Sequence, residues 1–146
     1  RASKLIAMAD GSGIDVSVLT YNMHGMNQGR VLLTEICAKG SVDVILLQEH
    51  WLASKALQQF DAISDNYSHV AVSSMDSSLC NALLTGRSYG GLAIIYRKQL
   101  AKEVKIISTG DRMIAVTIGT LLLINVYFPN TSCTDYKDVC LDILTL

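Results

Sequence analysis

The chain has 146 residues, half of them hydrophobic and 17% charged, which is enough for one domain with a real core and excludes intrinsic disorder. Twelve Lys plus Arg stand against 13 Asp plus Glu, a net charge of −1, so any nucleic-acid function must rest on a site and not on a global basic excess. No apolar run approaches the roughly twenty residues that a bilayer-spanning helix needs, and no membrane partner is expected.

Residues 1–13 carry Gly11, Ser12 and Gly13 without periodicity and read as a flexible lead-in to a domain over 14–146. Alternating β-branched residues predict a strand over 14–21, followed by a polar, glycine-bearing loop over 22–29. Leu32, Leu33, Ile36 and Cys37 form one helical stripe over 30–39, with Gly40 as its terminator. The nearly continuous apolar run 42–47 fits a strand buried on both faces. A short helix is expected over 52–63 and a strand over 67–73. Residues 74–88 read as a long polar loop of the kind that is more often functional or mobile than structural. Strands follow over 91–97, 103–108 and 112–118, the last two joined by a turn at Thr109-Gly110-Asp111. Gly119-Thr120 then turns the chain into a strand over 121–128. A final helix over 134–146, with Thr134 as N-cap, carries Tyr136, Val139, Cys140, Ile143 and Leu144 on one side.

The four cysteines, at 37, 80, 133 and 140, include no C-x-x-C pair, which argues against a structural zinc site. Disulfides stay open by count, but Cys37 and Cys140 fall on apolar helix faces, and reduced thiols in an intracellular protein are the favoured reading. Histidines 24, 50 and 69 lack metal-protease spacing. Arg1 in place of Met suggests a piece of a longer chain, and residues 5–9 are too short for a secretory signal.

Three sets of polar residues stand at the mouths of apolar strands: Asn22, Glu49, and Tyr127 with Asn130. A carboxylate held there suits a hard cation such as Mg²⁺, an amide can orient it without adding charge, and a tyrosine hydroxyl can donate to a phosphate oxygen. Each is also compatible with a bland role: Glu49 as a solvated strand-end acid, Tyr127 as a strand residue packing on its sheet. Arg97, Lys98, Lys102 and Lys105 form either a DNA-backbone footprint or, more commonly for such a cluster, a solvated face.

The segments Thr20-Tyr21-Asn22-Met23-His24-Gly25, Ile45-Leu46-Leu47-Gln48-Glu49-His50-Trp51-Leu52, Gly90-Gly91-Leu92-Ala93-Ile94 and Asn125-Val126-Tyr127-Phe128-Pro129-Asn130 together resemble successive motifs of the endonuclease/exonuclease/phosphatase superfamily. Within it the chain is most similar to the apurinic/apyrimidinic-type endonuclease domains of non-LTR retrotransposons, a likeness supported by Pro129-Asn130 and by Arg112 opening a strand. The resemblance implies a four-layered α/β (α+β) sandwich present to roughly its first half, DNA as substrate, Mg²⁺ or Mn²⁺ as cofactor, a nuclear setting and a reverse transcriptase domain downstream. It also implies Glu49 as a metal ligand, Asn22 as organiser of the metal and phosphate site, and Tyr127 with Asn130 on the scissile phosphate. His24 stands where the family commonly has an acid. The family's later Asp-x-Asn and terminal Asp-His motifs have no counterpart in residues 1–146. A lipid or inositol phosphate phosphoesterase and a non-catalytic remnant of the same fold are the alternatives.

Overall fold

The computed structural model describes residues 2–8, 15–75, 89–128 and 136–145. It is a mixed α+β fold built on two sheets. Strands β1 (Ala2–Met8), β2 (Asp15–Asn22), β3 (Val44–Gln48), β4 (Tyr67–Val72) and β5 (Leu92–Arg97) form a five-stranded sheet in the order β1-β2-β3-β5-β4. Strands β6 (Val104–Gly110), β7 (Met113–Ile118) and β8 (Leu121–Val126) form an antiparallel three-stranded meander. Helix α1 (Met26–Lys39) connects β2 to its parallel neighbour β3, a 3₁₀ helix spans Ser54–Phe60, and helix α2 spans Tyr136–Leu144.

The central strands feed two cores from alternate residues. Val16, Val18, Val44, Leu92 and Ile94 point toward the meander and pack on Ile114, Val116, Ile118 and Leu123. Leu19, Tyr21, Ile45, Leu47, Ala93 and Ile95 pack with Leu33 and Cys37 of α1 and with Phe60 and Ile63. Both faces of β3 are therefore dry, which is why its sequence shows no polar alternation. Burial pushes the Cys37 thiol up to about 11, so it behaves as a small hydrophobe; it and Cys140 are free thiols.

Several expectations are corrected. Part of the stretch read as a flexible lead-in is strand β1, paired antiparallel with β2 from Ala2 opposite Tyr21 to Met8 opposite Asp15. Helix α1 begins at Met26, inside the expected loop, because Gly25 at φ 96° turns the backbone there without a side-chain cap. Its end is as expected: Gly40 adopts the left-handed conformation and bonds back to Ile36 and Cys37. The helix expected over 52–63 is a 3₁₀ segment of seven residues. The β6–β7 turn narrows to Asp111-Arg112, since Gly110 still pairs with Met113. Most of the 74–88 loop, Thr134, Cys80 and Cys133 lie outside the described residues.

Candidate active site

The parallel register that sets Asn22 opposite Gln48 brings the end of β2 beside the first residue after β3. The Asn22 amide uses this closeness: Nδ2 donates to Glu49 Oε1 at 2.9 Å, while Oδ1 accepts the His24 backbone N–H at 3.1 Å. The His24 ring lies on the other carboxylate oxygen, Nδ1 to Oε2 at 3.1 Å. Glu49 has φ 58°, His24 φ 49° and Trp51 φ 58°, all left-handed without being glycine. Such conformations persist only where surrounding bonds over-determine them. Here the Glu49 N–H donates to Gly91 O at 2.9 Å, its carbonyl accepts from Gly25 N at 2.7 Å, and Trp51 N donates to Gly90 O at 3.0 Å.

His50 locks the same turn from beneath. It is fully buried; Nδ1 accepts the Leu52 N–H at 3.0 Å, which leaves the ring proton on Nε2 to donate to the Val72 carbonyl at 3.0 Å. Burial lowers its pKa below the ordinary value and keeps the ring neutral. Gly91 has φ 86° and packs flat on this ring, where any Cβ would overlap the imidazole. The glycine pair is therefore required by close approach as well as by backbone conformation.

Tyr127 arrives from the other sheet, just past the end of β8, and lines the same groove as Glu49, near enough to feel the charge of its carboxylate. Burial first, then the Glu49 charge, push this hydroxyl above its ordinary pKa against an opposing pull from Arg112, so it remains a proton donor at neutral pH. Glu49, Tyr127, His24, Gln28, Trp51 and Tyr89 line one open groove of about 380 Å³. The structure thus brings Asn22, Glu49 and Tyr127 together, and Asn130 lies outside the described residues. His50 and Asn125, the latter buried within β8, receive no role from the sequence. A single polar residue inside an apolar run, as in Leu123-Ile124-Asn125-Val126, was the available signal for the second.

The donors fit a hard divalent cation. Among the described residues no group of three or more His, Cys, Asp or Glu converges, so no closed protein cage is formed. A single carboxylate suits a cation such as Mg²⁺, which keeps several waters and takes further ligands from phosphate; the Asn22 amide presents its nitrogen to this carboxylate and its oxygen to the His24 N–H. The basic cluster contributes nothing to the groove: it starts at the far end of β5 from Gly91, and its Arg97 is paired with Asp43 at 3.1 Å.

The fold defines a two-sheet α+β sandwich carrying a polar site at one end of both sheets. The chain belongs to the endonuclease/exonuclease/phosphatase family, which matches residues 19–137. Similar solved structures include an AP endonuclease from Archaeoglobus fulgidus (17% identity, TM-score 0.60, 87% of this chain and 48% of that one). A Neisseria 3′ phosphatase bound to a product DNA hairpin is comparable (19% identity, TM-score 0.58, 86% and 48%). So is an AP endonuclease from Leishmania major (18% identity, TM-score 0.54, 91% and 42%). The chain spans about half the length of these proteins. Comparison with curated proteins gives no match. Among the described residues no helix is long and apolar enough to cross a membrane.

Proposed function

We propose that the chain is the N-terminal part of a Mg²⁺- or Mn²⁺-dependent DNA endonuclease of the non-LTR retrotransposon type, acting in the nucleus ahead of a reverse transcriptase domain. The observation that carries the reading is the meeting of Glu49 and Tyr127 on one groove, with the Asn22 amide bonded to the Glu49 carboxylate. Family members are typically dependent on a divalent metal. Glu49 and the Asn22 amide oxygen would hold that ion, which, when bound, would neutralise charge developing on a phosphate oxygen. Asn22 keeps the carboxylate in one orientation without adding a second negative charge near an anionic substrate. Tyr127, held protonated, donates to the phosphate, and Asn130 is assigned the same neighbourhood.

Phosphodiester hydrolysis also needs a group that orients the attacking water. Residues 1–146 contain neither Asp-x-Asn nor Asp-His, so this stretch by itself is taken to be inactive. The test is plasmid nicking by the full-length protein in Mg²⁺. Glu49→Ala should abolish it, while the exposed Asp65→Ala should leave it unchanged. Equal nicking by wild type and Glu49→Ala would overturn the assignment.

A further inference from the structure

Asn125 is 1% exposed in the middle of an aliphatic strand. A buried amide is costly unless its bonding capacity is used. All of its bonds cross to the other sheet. Nδ2 donates to the carbonyls of Leu47 and Ala93, each at 2.9 Å, and Oδ1 accepts from Gln48 Nε2 at 2.7 Å. Leu47 and Ala93 are themselves partners in the β3–β5 ladder, so one side chain grips two adjacent strands at once. Its place along the chain matters as much. Leu47 and Gln48 immediately precede Glu49, and Tyr127 follows Asn125 by two residues.

Most of the remaining contact between the sheets is made by Val, Ile and Leu side chains, with Tyr96 and Tyr127 packed against them and one further hydrogen bond, from the Ser74 hydroxyl beyond β4 to the Asp111 carbonyl of the β6–β7 turn. Dispersion and area burial are non-directional, so such a surface fixes the distance between sheets better than their relative slide. Hydrogen bonds with defined geometry supply what it lacks. We propose that Asn125 is a positioning residue, a staple between the two sheets that sets the span from Glu49 to Tyr127 and so the width of the groove. Its importance for catalysis rests on the reading of that groove as a phosphodiesterase site; the span itself does not.

The experiment therefore reads the span without catalysis. The full-length protein is labelled with 3-fluorotyrosine, and the Tyr127 ¹⁹F resonance is assigned by its loss in Tyr127→Phe. Glu49→Gln marks where that resonance falls once the carboxylate is gone. Asn125→Leu, close in volume and without bonds, should move the resonance at least half of the way to that mark. Ile118→Ala, which opens the same inter-sheet core at the far end of β7, should leave it in place. An unmoved resonance in Asn125→Leu, or an equal shift in Ile118→Ala, would overturn the proposal, the latter because any loosening of the core would then suffice. If Asn125→Leu does not unfold cooperatively, Gln48→Met decides: it removes one of the three bonds, and its shift or lack of shift is read in the same way. Nicking that survives Glu49→Ala would remove the catalytic reading and leave this result standing.

Discussion

Tyr127 faces Glu49 across the seam between two sheets, and burial together with the Glu49 charge raises its pKa, so the hydroxyl keeps its proton. Tyr127→Phe deletes that one hydroxyl and keeps the ring. In the full-length protein it should lower the rate of nicking between about tenfold and a thousandfold, the range for a lost transition-state hydrogen bond, without moving the urea midpoint appreciably. An unchanged rate would return Tyr127 to a packing role. Asn22, Glu49 and Tyr127 were legible in the sequence because each is a polar residue at the end of an apolar strand. His50 and Asn125 were not, because their value depends on carbonyls brought near from elsewhere in the chain: Val72 for one, Leu47 and Ala93 for the other. Sequence spacing holds no record of such partners until the sheet order is known.

The turn from Gln48 to Leu52 is held by His50, and this gives the element a pH dependence. Folding lowers the affinity of His50 for a proton relative to the unfolded chain, whose value is near 6.5. Its contribution to stability is complete above 6.5 and is lost as pH falls from there toward the lowered folded value. The urea midpoint of the full-length protein should drop between pH 7.5 and 5, and His50→Gln should flatten that fall. A midpoint profile identical in the two proteins would show that His50 does not carry it. At this scale β3 and β5 were readable from the sequence because burial on both faces leaves an unbroken apolar run. The start of α1 was not, since Met26-Asn27-Gln28-Gly29 carries neither a capping side chain nor an acidic first turn. Strand β1 was hidden for a different reason: its order comes from pairing along β2, a partner that lies beyond the glycine-bearing segment.

For the molecule as a whole, the meander is the exposed part. Ile106, Ile107 and Leu122 are each roughly half exposed, and among the described residues β6 and β8 are the two edges of their sheet. Unpaired edges next to exposed aliphatic surface favour association between copies. Purified residues 1–146 should therefore self-associate, seen by light scattering on a sizing column, and should not nick plasmid DNA with Mg²⁺; a monomer that unfolds cooperatively and nicks would contradict both parts. One feature of the site reaches beyond any single molecule. Glu49, His24 and Trp51 hold left-handed backbone conformations that cost an L side chain about 1–2 kcal/mol each, and that glycine or asparagine adopts with less penalty. At position 49, then, the backbone favours a residue other than the one the proposed chemistry needs. If that proposed role were relaxed, replacement of this acid by Gly or Asn would be favoured by the backbone, and position 49 would be among the first of the candidate site to drift.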